Sequence, residues 1–153
     1  MIEGRRTLTF SRLDEVMPEV DRLLKGHRTL GQWSLGQICN HLAGVIVMGV
    51  DGPPVKLPWI LRKTVGPLIV GWILKKGRFP NGVKIPRKYE PKPGLDARAE
   101  AEALRAAIRL YSMHTGPMAD HPLAGQIPRA TWDRLECIHC AHHLGFVVPD
   151  EAA

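Results

Sequence analysis

The chain has 153 residues, 44% apolar and 24% charged, with a formal net charge of +6. That is enough for one ordinary domain with a real core, in the balance of a soluble globular protein. The opening M-I-E-G-R-R-T-L-T-F carries no hydrophobic run after its charges, which excludes a secretory signal, and three cysteines without one predict free thiols in a reducing cytoplasm.

Leu13 to Lys25 reads as the first helix. Ser11 is placed to cap it, with Asp14 three residues on. Leu13, Val16, Val20, Leu23 and Leu24 make its apolar stripe, and Gly26 stops it. Pro18 inside this pattern predicts a kink, or a start shifted toward Met17.

Ser34 to Val50 carries the strongest helix signals. S-L-G-Q is a capping box in which Ser34 caps the amide of Gln37 and Gln37 reaches back. Trp33, just before the cap, is expected to pack on Ile38. Leu35, Ile38, Leu42, Val45, Ile46 and Gly49 form the stripe. His41 lies on its flank, where it can face a neighbouring helix.

Lys56 to Lys92 holds ten Lys/Arg and one acid, Glu90, a local net of +9 that leaves −3 for the rest. Such a segment suits nucleic acid, an anionic membrane or an anionic small substrate, and a solvated basic surface is the plainest reading. Aromatic residues are not interleaved with the basic ones as single-strand binding requires. No helix-turn-helix or zinc-finger spacing is present, so no specific nucleic-acid binding is expected. Within the segment, Leu57 to Lys76 is rich in aliphatics. Arg62 and Lys63 interrupt it, and Thr64 to Leu74 falls short of the roughly 18 residues a span requires. Gly66-Pro67 predicts two short helices or one kinked one. Leu61, Val65, Leu68, Ile69 and Trp72 are expected to face the core, in preference to a membrane surface.

Gly77 to Leu95 is a long loop rich in proline, glycine and basic residues, of the length often found in lids and binding edges. Asp96 caps a helix running to about His114, with Leu104, Ala107, Ile108 and Tyr111 inward. His121 to Pro128 is a turn-rich connector. The last helix runs from about Arg129 to Val147, ended by Pro149. No stretch shows strand-like alternation. The expectation is an all-α, single-domain helical bundle with one additional short or kinked helix and a long basic loop.

The last helix carries E-C-I-H-C-A-H-H-L-G-F, Glu136 to Phe146. His139 and His143 are one turn apart on one face, a spacing at which two imidazoles reach one metal ion. At about 100° per residue, Trp132, Leu135, His139, His142, His143 and Phe146 share the most apolar side. Imidazoles pointing into a core need partners, either a metal ion or an ordinary hydrogen-bond acceptor. Cys137 and Cys140 fall well away from His139 and His143 on the wheel, which excludes one zinc site made from both sets and leaves them as small apolar residues. A Cys39–His41 nucleophile pair has only composition behind it. The site hypothesis is His139 and His143 with a third ligand from another helix. His41 leads, and His142 is held in reserve. Glu136, one turn before His139, is placed to orient a ligand or act as a base, or else is an exposed helix carboxylate.

W-S-L-G-Q-I-C-N-H-L-A (Trp33 to Ala43), H-P-L-A-G (His121 to Gly125), Trp132 and H-C-A-H-H-L-G (His139 to Gly145) together resemble the DinB-like superfamily, and more narrowly a bacterial branch of it known only as a domain of unknown function. The resemblance covers nearly the whole chain. It implies a four-helix bundle, often dimeric, with a divalent metal held by one His of the second helix and an H-x-x-x-H pair of the last: His41, His139 and His143. The chain departs from the family at Phe146, where a Gln is common.

Three neutral imidazoles leave the ion its full charge and an open coordination position, which suits catalysis. Zinc, nickel and iron all accept such ligands. The superfamily includes thiol-dependent transferases and isomerases and proposed hydrolases. The expectation is therefore a cytoplasmic metal-dependent enzyme that activates a metal-bound water or a low-molecular-weight thiol. Its partner would be a small, anionic substrate meeting Arg87 and Lys88 of the basic loop. The rival is a non-catalytic binding or stress protein with structural histidines.

Overall fold

The computed structural model describes residues 4–80 and 90–150. A short 3-10 turn, Leu13–Glu15, leads into helix α1, Val16–Leu23. Pro18 therefore falls in the first turn of α1, where its missing N–H leaves no hydrogen bond unmade. The expected cap at Ser11 does not form. Its backbone N–H instead donates to Glu15 Oε2 at 2.8 Å.

Helix α2, Leu35–Asp51, starts on the capping box read from the sequence. Ser34 Oγ accepts from the Gln37 amide at 3.2 Å, and Gln37 Oε1 accepts from the Ser34 amide at 3.0 Å. Helix α5, Ala97–Met113, is capped by Asp96, whose Oδ1 accepts from the Ala99 amide at 2.8 Å. Its four expected inward residues are all buried. Helices α2 and α5 pack along most of their length. Gly49 permits this, because an added Cβ would sit 2.9 Å from the Tyr111 ring. Helix α6, Arg129–Leu144, completes the main core with α1, α2 and α5.

The last helix ends at Leu144, three residues earlier than the sequence suggests. Val147–Pro149 instead forms a strand, β2, paired antiparallel with β1, His27–Thr29, in the register Thr29↔Val147. Three-residue strands are too short to show alternation, and their pairing joins the segment after α1 to the segment after α6. Arg6 secures the same corner. Its guanidinium donates to the carbonyls of Val147 at 2.7 Å and Leu144 at 3.3 Å, and pairs with Glu19 at 2.6 Å.

Between α2 and α5 lie two short helices, α3, Trp59–Lys63, and α4, Val65–Lys76, as Gly66-Pro67 predicts. The face they turn inward is not the expected one. Gly66, Val70 and Ile73 are buried, and Val70 and Ile73 pack on Leu135 of α6 in a second, smaller cluster. Leu61, Val65, Leu68, Ile69 and Trp72 are exposed. Backbone approach sets this rotation. A Cβ at Gly66 would collide with the Leu123 carbonyl, so only this glycine edge can lie against the 121–125 turn. Arg62 anchors the same end on Asp120 at 2.9 Å. Residues 81–89 of the basic loop, with Arg87 and Lys88, lie outside the described residues. No described helix is long and apolar enough to cross a membrane.

Candidate metal centre

Helix α2 brings His41 to α6, where it meets His139 and His143. His139 Nε2 lies 3.3 Å from His41 Nε2 and 3.0 Å from His143 Nε2. One ligand nitrogen from each of the three residues lies within 4.8 Å of the others. Two imidazoles on one tetrahedral zinc-like ion hold their nitrogens about 3.3 Å apart, given bonds of about 2.0–2.1 Å. The spacing therefore fits an ion. Hydrogen bonding alone fits less well. A ring nitrogen carries either one N–H or one lone pair, so His139 Nε2 cannot satisfy both neighbours at once. A cation shared among three lone pairs removes that conflict.

Burial holds these rings neutral, as ligands must be. Desolvation pushes His41 down to about 4 and His139 and His143 well below the ordinary imidazole value. Aromatic side chains wall the cluster. Trp33 stacks on His143 with ring centroids 5.5 Å apart and an interplanar angle of 9°, and Phe79 lies 4.9 Å from His139. Trp33 packs against the main core, which includes Ile38, and also lies on the histidines, meeting His41 at 5.1 Å. Phe79 sits in a loop with no pattern to mark it.

His142 turns away from the cluster. Its Nδ1 accepts from the Arg5 guanidinium at 3.1 Å, which also donates to the His142 carbonyl at 3.1 Å. Arg5 lies over Phe146, 4.2 Å from its ring centroid, so Phe146 forms part of this flank.

Glu136 is not an exposed helix carboxylate. It is 2% exposed, its Oε2 has no hydrogen-bond partner among the described residues, and burial pushes its carboxyl up to about 8. With His139 it lines a cavity of about 280 Å³ whose other walls include Val45, Val70, Phe79 and Trp132. His121 also lines it, fixed by the turn it begins. Its Nδ1 accepts from the Leu123 and Ala124 amides at 3.2 and 3.3 Å, and its backbone pairs with Gly125 at 2.7 and 2.9 Å. The H-P-x-x-G motif is thus the frame of a turn, and Gly125 supplies its positive φ of 68°.

Cys39, Cys137 and Cys140 are free and buried. Burial pushes the Cys39 thiol up to about 12 and Cys137 to about 11, so neither is an activated nucleophile.

No curated protein and no solved structure matches the chain. A family model does, over residues 2–150, which is nearly its full length. The chain therefore belongs to the family described as "Protein of unknown function (DUF1569)".

Proposed function

We propose that the protein is a metal-dependent enzyme of DinB-like type, with His41, His139 and His143 as the ligands of a divalent ion. The observation that carries this reading is the convergence of three neutral imidazoles, with His139 Nε2 at 3.3 Å from His41 Nε2 and 3.0 Å from His143 Nε2, a spacing that suits a shared ion better than hydrogen bonds alone. Zinc, nickel or iron held by three neutral imidazoles lowers the pKa of a bound water or thiol toward neutrality.

The chain's own residues supply the rest. The cavity beside His139 takes an apolar group of a small substrate. Glu136, whose carboxyl burial raises to about 8, holds or delivers a proton near neutral pH. Trp33 and Phe79 keep bulk water from the imidazoles. Arg87 and Lys88 remain assigned by charge alone, as partners for carboxylates of an anionic substrate or a thiol cofactor.

Plasma emission on untagged protein tests the site. Stoichiometric zinc, nickel or iron is expected in the wild type and is lost in His139→Ala and His143→Ala while far-UV circular dichroism is unchanged. Absence of bound metal even after reloading with each ion would return the protein to the non-catalytic reading.

A further inference from the structure

The outward face of α3 and α4 is built for a surface other than water. Val65, Leu68, Ile69 and Trp72 recur at helical spacing on one side of α4, and Trp59 and Ile60 continue the patch on α3. Leu68 is 74% exposed, Trp59 69% and Trp72 40%. An apolar patch of this extent marks an interaction site.

The charge around the patch says what kind. From Val55 to Phe79 the chain has six Lys/Arg and no acid. Lys63, Lys75 and Lys76 are exposed and have no carboxylate partner among the described residues. On the helix wheel, Lys75 lies beside the stripe of α4 and Lys76 ends it at the last turn, where long stems can lie along apolar surface and carry their ammonium groups outward. Tryptophan with lysine around an aliphatic stripe is the composition of a helix lying in a bilayer interface. Twelve residues of α4 rise about 18 Å, too short to cross about 30 Å of hydrocarbon.

We propose that the α3–α4 face docks in the plane of an anionic membrane surface, with the tryptophans and Leu68 in the interface and the lysines on lipid phosphates and carboxylates. A second copy is the poorer occupant. A two-fold dimer sets the same patch against itself, which brings these lysines toward their own copies with no acid in the segment to offset them. The inner face of α4 places Val70 and Ile73 in the cavity beside His139, so the docking face and that cavity share one helix.

The test is sedimentation of the full chain with vesicles of phosphatidylcholine alone or of phosphatidylcholine with phosphatidylserine, alongside light scattering for oligomeric state. Pelleting is expected with the anionic vesicles and falls as salt rises, because exposed charges are screened. Lys75→Gln with Lys76→Gln lowers the partition about fivefold for each charge removed. Trp59→Ser with Trp72→Ser abolishes pelleting, with helicity and melting midpoint unchanged. Wild-type tryptophan emission is quenched by brominated lipid, which reads docking without any variant. No pelleting, or equal pelleting with neutral vesicles, overturns the proposal. So does a wild-type dimer that ignores vesicles and is dissociated by the tryptophan substitutions, an outcome that makes the face an interface between copies.

Discussion

Glu136 sits one helical turn from His139, with an Oε2 that meets no donor among the described residues. Burial strips an ionised carboxylate there of hydration, so the group keeps its proton until about pH 8. Its folded value lies above its ordinary 4.5, so its contribution to stability is complete below pH 4.5 and declines as pH rises toward 8. The decline is on the order of 1.4 kcal/mol per pH unit inside that window. Glu136→Gln keeps the shape and removes the titration. In metal-free protein, urea unfolding is expected to show the variant gaining stability relative to the wild type as pH rises from 6.5 to 8. A difference that stays constant there would mean that Glu136 has a partner or water access. The sequence marked Glu136 as adjacent to the histidine face. It left open whether the side chain was buried, because that depends on α4 and the 121–125 turn closing over it.

At the scale of elements, helices with a cap and a periodic stripe were legible, and α2 and α5 form as their local signals require. Helix α4 shows where such signals stop. Its residues are apolar nearly all round, so periodicity cannot say which side turns inward. Gly66 decides, because it alone can approach the Leu123 carbonyl. Gly66→Ala must therefore push α4 off the turn. The expected cost is about 1–3 kcal/mol, as for other overpacked contacts, measured by urea unfolding. A variant as stable as the wild type would show that Arg62 and the Val70–Ile73 contacts set the rotation instead. The strand pair β1–β2 was illegible for another reason. Three residues carry no alternation, and the partners lie more than a hundred positions apart.

Over the whole molecule, protonation works in two directions. His41, His121 and His142 are each pushed by burial from 6.5 to about 4, and His139 and His143 are pushed lower still. Their folded values lie below the unfolded ones, so the stability of their neutral burial is complete above about pH 6.5 and is lost as pH falls. Glu136 acts in the opposite sense across pH 4.5 to 8. At pH 6.5 the unfolded imidazoles are still half protonated, so five histidines outweigh the one carboxyl there, and the two balance at about pH 7. Metal-free protein is therefore expected to have its greatest stability at about pH 7, read as the urea midpoint against pH. A midpoint that keeps rising through pH 8 would contradict this balance.

By itself the sequence determined the helices, two of their caps, the loop breaks and the pairing of His139 with His143 on one face. All of these follow from spacing within a few residues along one chain segment. Only the tertiary structure decided that His41 reaches that pair from 98 positions away, that Glu136 is sealed beside it, and that the apolar stripe of α4 faces outward. Those outcomes depend on which backbones can approach one another, and periodicity along a single helix carries no information about that.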